Sequence, residues 1–141
     1  MKTNIATTSE QSSRLLRCGV PAGTADMFYK PCVMMSEQDS TKLILFARNE
    51  LTVGDIPSYP AWSLSTLLRL LPTSIIDGND IYFQLQLTAY PHEEDCYKWC
   101  LSYYSIEGEI SLLYIEAADP IEACVLMAEK LVANGYKLTE I

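Results

Sequence analysis

The residues best equipped for chemistry lie between Pro91 and Cys100. His92 is the chain's single histidine, set in Pro91-His92-Glu93-Glu94-Asp95-Cys96, with Cys100 four residues beyond the first thiol. On a helix, His92, Cys96 and Cys100 would share a face and could ligate a metal. The alternation of Tyr97, Trp99, Leu101 and Tyr103 with Lys98, Cys100, Ser102 and Tyr104 predicts a strand instead. In a strand Cys96 and Cys100 point the same way but lie roughly 13 Å apart, at about 3.3 Å per residue. Zinc ligands sit within ~2.0–2.3 Å of one ion, so no metal site is expected here. A thiol-dependent enzyme using Cys96 or Cys100 with His92 is an alternative, and it requires the loop to fold the imidazole against a sulfur. The plainer reading is a solvated, charged turn beside half-buried cysteines. Glu93, Glu94 and Asp95 lack the alternate spacing and central glycine of a calcium loop, which makes them a hairpin tip. Among the six glycines there is no phosphate-binding loop, nucleophile elbow or dinucleotide fingerprint, so neither catalytic residues nor a cofactor are expected.

Tyrosine offers a different chemistry, that of contact. The chain has nine tyrosines. Tyr82 and Tyr104 fall on the polar face of an alternating pattern that also carries Leu113 and Ile115. Exposed aromatic and aliphatic groups on one sheet face mark a contact surface, and these four residues are the candidate interaction site. Trp62, Trp99 and Tyr103 read as core. Cys124 lies on the apolar face of the last helix and reads as core packing.

Three strands must position those residues. Ile81, Phe83, Leu85 and Leu87 alternate with Tyr82, Gln84, Gln86 and Thr88. The second strand is the Tyr97–Tyr104 run. The third sets Ile110, Leu112 and Tyr114 against Ser111, Leu113 and Ile115, after a Glu107-Gly108 turn. Together they predict an antiparallel meander over about residues 80–116 with one buried face.

Helices cover that face. Thr8 and Gln11 make a capping box for a helix over about 9–18, with Gly19 as its left-handed terminator and Val20 reaching back to Leu15. Ser63 caps a helix over about 63–71, whose Leu64, Leu67, Leu68 and Leu71 form a stripe and whose Trp62 and Leu67 staple the entry. Asp119, Pro120 and Glu122 open the last helix, about 120–134, with Ile121, Cys124, Val125, Ala128, Leu131 and Val132 on its apolar face and Asn134-Gly135 closing it. Apolar runs at Phe28–Met35 and Lys42–Ala47 predict an N-terminal hairpin, with Pro31 placing it at an edge. Asn49 to Tyr59 reads as a loop. The expected fold class is α+β, helices segregated on one face of an antiparallel sheet, in a single domain over 1–141 with a disordered tail at 1–8.

Charge narrows the partners. The net charge is −8; residues 1–60 carry six basic and six acidic side chains, and residues 61–141 carry four against twelve. An acidic half repels phosphate backbones, so nucleic acid is not an expected partner. There is no apolar run of ~20 residues, hence no membrane span, and no apolar leader. Five cysteines at irregular spacing read as free thiols in a reducing cytoplasm.

Three blocks then occur in order: Gly19-Val20-Pro21-Ala22-Gly23-Thr24-Ala25-Asp26-Met27, Pro60-Ala61-Trp62-Ser63-Leu64-Ser65-Thr66-Leu67-Leu68 and Asp119-Pro120-Ile121-Glu122-Ala123. Over about residues 14–136 the chain resembles a family of small uncharacterised proteins encoded by prophages and other mobile elements of gut anaerobes. It departs from that pattern at Lys130, where the family carries an aromatic. The resemblance implies a genomic setting and no activity. The expected function is a non-enzymatic protein-interaction or regulatory domain, self-association included. An acidic inhibitor or decoy of a basic host protein is the alternative beside the thiol enzyme.

Overall fold

The computed structural model describes residues 5–31, 43–47, 59–91, 93 and 97–140. Helix α1 (Ser9–Arg17) starts where the capping box predicts. Thr8 Oγ1 accepts from the Gln11 N–H, and Gln11 Oε1 accepts from the Thr8 N–H. It stops at Gly19, whose φ of +91° lets the Val20 N–H reach the Leu15 carbonyl at 3.1 Å. A single 3₁₀ turn, Ala22–Thr24, leads into the first sheet.

That sheet is antiparallel, with β1 (Met27–Pro31) between β2 (Leu43–Ala47) and β3 (Tyr59–Ala61). The hairpin of β1 and β2 is as expected, but β1 is the central strand rather than an edge. Pro31 is tolerated because β3 pairs only with Met27–Tyr29, so the proline lies beyond the point where β1 has two neighbours. Residues 32–42 and 48–58, on which the expected 36–41 loop and most of the expected 49–59 loop fall, lie outside the described residues, and Tyr59, expected in that loop, begins β3 instead.

Helix α2 (Leu64–Leu70) begins at Ser63, whose backbone N–H donates to Asp26 Oδ1 at 2.9 Å. Trp62 at its entry is fully buried, and its indole N–H donates to Thr24 Oγ1 at 3.0 Å. A second antiparallel sheet follows, in the order β4 (Ser74–Ile76), β5 (Tyr82–Pro91), β6 (Tyr97–Ser105) and β7 (Ile110–Ala117). Asp77 shapes the β4–β5 turn by accepting the N–H groups of Asn79 and Ile81.

Helix α3 (Pro120–Ala133) is capped by Asp119 Oδ1, which accepts the Ile121 N–H at 2.9 Å. It lies across β6 and β7 with α1 and α2 against its flanks. Beneath it Phe83, Leu101 and Tyr103 meet Ile121, Cys124, Val125 and Ala128, with Leu15, Leu67 and Leu71 closing the sides. Val132, expected on this face, is exposed instead. Glu122 reaches across to α1, accepting from Gln11 Nε2 at 2.6 Å and Arg14 Nη1 at 2.8 Å, and Glu129 engages the same guanidinium. Among the described residues no helix is long and apolar enough to cross a membrane.

The expected tail at 1–8 is corrected at its inner end. Ala6 and Thr7 are buried. The Thr7 N–H donates to the Trp62 carbonyl at 2.9 Å, the Trp62 N–H returns to Thr7 Oγ1 at 3.0 Å, and the Tyr29 hydroxyl donates to the Thr7 carbonyl at 2.8 Å. Hydrogen bonds to residues far along the chain hold what a polar sequence leaves unmarked. Residues 1–4 lie outside the described residues.

Candidate interaction face

The strands of the second sheet send alternate side chains to opposite sides. Ile75, Phe83, Leu101 and Tyr103 point inward and are buried. The outward set follows from the register. Ile76 stands opposite Tyr82, and Gln84, Tyr104 and Ser111 form one row. Gln86, Ser102 and Tyr114 form the next, then Thr88, Cys100 and Glu116, then Tyr90 and Lys98. Ile76 is 63% exposed and Tyr82 48%.

Of the four predicted contact residues, the structure brings Tyr82 and Tyr104 together and sends Leu113 and Ile115 elsewhere. The first two line a shallow groove of about 170 Å³ with Gln84, Ser105, Ile106 and Glu107. Leu113 and Ile115 pack against the core. The cause is a β-bulge: Ser102 pairs with Tyr114 but Tyr103 pairs with Leu112, which leaves Leu113 as an extra residue on β7 with φ +57°. One extra residue exchanges the two sides of the strand beyond it, so Ile115 turns inward and Tyr114, expected in the core, turns out. Tyr114, Tyr90, Ile76 and Ile106 are exposed members of this surface or its margin that the sequence pattern missed. An apolar run of Leu112-Leu113-Tyr114-Ile115 holds no parity signal that could have placed the bulge.

The face carries few charges. Lys98 and Glu116 are the charged positions in its rows, and they pair with each other. The Lys98 ammonium is raised above its ordinary pKa by its hydrogen bond to Glu116. The Tyr114 hydroxyl donates to Glu116 Oε1 at 2.7 Å and lies 3.0 Å from Cys100 Sγ. These contacts, that with Cys100 first, raise its pKa as well.

Burial holds two of the described thiols, Cys124 and Cys18, toward the protonated form. Cys124 is buried beneath α3 and its thiol is pushed up to about 12, by burial first and by the Asp119 charge second. Burial also raises Cys18, ahead of the charge of Glu129. A raised thiol pKa leaves little thiolate at neutral pH. Cys18 lines a second, larger groove of about 540 Å³ where the end of α1 meets the C-terminal segment, with Val20, Leu70, Val132, Tyr136 and Leu138. Cys100 is only 6% exposed. His92, Glu94, Asp95, Cys96 and Cys32 lie outside the described residues, so the proposed imidazole–thiol pair has no geometry. Among the described residues no three His, Cys, Asp or Glu side chains gather as metal ligands would.

Compared with protein-family models, curated proteins and solved structures, the chain matches none.

Proposed function

We propose that the protein is a non-enzymatic interaction or regulatory module that meets its partner with the outer face of the β4–β7 sheet. One observation carries this reading. Ile76, Tyr82, Tyr104 and Tyr114 share a surface whose two charges cancel as a pair, in a chain with a net charge of −8. Interface cores are enriched in aromatic residues and depleted of charge. Tyrosine provides rigid amphipathic contact area at low entropic cost, which explains why Tyr–Gln–Ser–Thr surfaces serve recognition. The acidic composition disfavours nucleic acid, and the free thiols Cys18, Cys100 and Cys124 suit a reducing cytoplasm. The resemblance to small mobile-element proteins makes the products of neighbouring genes the first partners to test.

A photo-crosslinking amino acid placed in turn at Tyr82, Tyr114 and Glu10, which is exposed on α1, tests the assignment in native cells. The expected result is one common adduct from the two sheet positions and none from Glu10. An adduct of twice the chain's mass would make the partner a second copy. Identical adducts from all three positions, or none from the sheet positions, would overturn the reading.

A further inference from the structure

We infer that the groove at the turn end of the outer face takes a basic, partly apolar peptide segment. This inference rests on the interaction reading above and names the chemistry of the partner. The β4–β5 and β6–β7 turns lie at the same end of the sheet, because the start of β5 pairs with the end of β6. They bring Asp77, Asp80, Glu107 and Glu109 to the end of the face that carries Ile76, Tyr82, Tyr104 and Ile106. Ile106 is 71% exposed.

Three of these carboxylates have no cationic partner among the described residues. Between Arg69 and Lys130 the chain has one basic residue, Lys98, and it pairs with Glu116 away from this end of the sheet. Among the described residues no cation pairs with Asp80, Glu107 or Glu109. On the far side of the sheet Glu122 and Glu129 hold Arg14, and Asp119 caps α3. Glu107 lines the apolar groove, and Asp80 and Glu109 sit in turns at the same end of the sheet, so negative charge stands beside its mouth.

That combination selects the occupant. A guanidinium or ammonium group at the groove would lie over the faces of Tyr82 and Tyr104, within the field of Glu107, while an adjacent aliphatic side chain covers Ile76 or Ile106. A second copy is a poor occupant, since a two-fold contact at this end would set the same carboxylates against each other. The partner is thus a different chain, and its binding segment carries Lys or Arg spaced by apolar residues.

The test uses the full chain and two capped decapeptides, one of alternating arginine and leucine and one with citrulline, a neutral analogue, in place of arginine. Backbone amide shifts are followed by NMR at low and physiological salt. The arginine peptide is expected to shift amides of residues 76–84 and 103–110, and to weaken steeply with salt as exposed charges are screened. The citrulline peptide should bind about tenfold less tightly, as should the arginine peptide to the variant Asp80→Asn/Glu107→Gln/Glu109→Gln, on the scale of three exposed ion pairs. Asp77 is left in place because its carboxylate holds the turn, and Asn suits the positive φ of position 80. An unchanged melting temperature confirms that the variant folds. Equal binding of the two peptides, or shifts spread over acidic sites all round the molecule, would overturn the inference. The crosslinking result stands apart from this one, since an adduct with a neutral or acidic partner would uphold the interaction face and remove only its basic ligand.

Discussion

The two sides of the β4–β7 sheet are built from the same strands and differ in what decides each residue. On the inner side Phe83, Leu101 and Tyr103 fill the space under α3, and volume is the criterion. Phe83 is 1% exposed, and the Tyr103 hydroxyl donates to the Pro72 carbonyl at 2.7 Å. On the outer side Tyr82 and Tyr104 line an open groove and Tyr114 is exposed, its hydroxyl held by Glu116, and the charges in the rows of the face are few. Buried residues hold the fold together, while the outer ones are free to be chosen for a partner. The contrast implies that stability and recognition can be damaged separately.

The largest expected effect comes from emptying the inner side. Phe83→Ala should cost about 3–5 kcal/mol in urea unfolding, the loss of a buried aromatic plus the cavity it leaves. Its neighbour on the other side provides the comparison: Tyr82→Ala should stay within about 0.5 kcal/mol, as exposed substitutions do. Equal losses at the two positions would mean that Tyr82 is covered by part of the molecule, and the outer face would no longer be available to a partner.

The helices were legible because their signals are local. Thr8 with Gln11, Gly19, Ser63 after Trp62, and Asp119-Pro120 each satisfy orphan backbone groups within a few residues, so neighbouring sequence suffices. The meander was legible where the period-two pattern is clean, on β5 and β6. β3 and β4 were not, because three residues hold no periodicity, and each exists by pairing with a distant strand, β3 on Met27–Tyr29 and β4 on Tyr82–Gln84. Ala6 and Thr7 were misread for the same reason, being anchored to Trp62 and Tyr29. Of the candidate site, Tyr82 and Tyr104 were readable from alternation alone. The rest of the patch depends on which turns share an end of the sheet and on the Leu113 bulge, both of which are products of pairing.

A second effect sharpens the inner side by pH. Burial raises the pKa of Cys124 from 9.0 to about 12, and it raises that of Tyr103 too. A folded-state pKa above the unfolded one means that the folded chain holds the proton longer. The stability this confers is complete below pH 9 and is lost as pH rises toward 12. At about 1.4 kcal/mol per pH unit, Cys124 alone should cost roughly 2–3 kcal/mol by pH 11. Unfolding curves at pH 8 and pH 11 should therefore diverge, and Cys124→Ala should reduce the divergence while lowering stability at pH 8. A wild-type curve that does not move over this range would mean that the thiol is not held in a dry interior.

The smallest effect tests the boundary between the two sides. In an ordinary strand, glycine is worse than alanine by roughly 0.5–1 kcal/mol, because it has more freedom to lose and nothing to pack. Position 113 should reverse that order. Leu113 stands at φ +57°, a region that costs a residue with a Cβ about 1–2 kcal/mol and glycine almost nothing. Leu113→Ala keeps this cost and loses the side chain's packing, whereas Leu113→Gly loses the packing and sheds the cost. Glycine should therefore exceed alanine by about 1 kcal/mol in unfolding free energy. If alanine is the more stable, β7 runs without the extra residue. Ile115 would then return to the outer face and Tyr114 to the core, and the surface proposed for recognition would change its members.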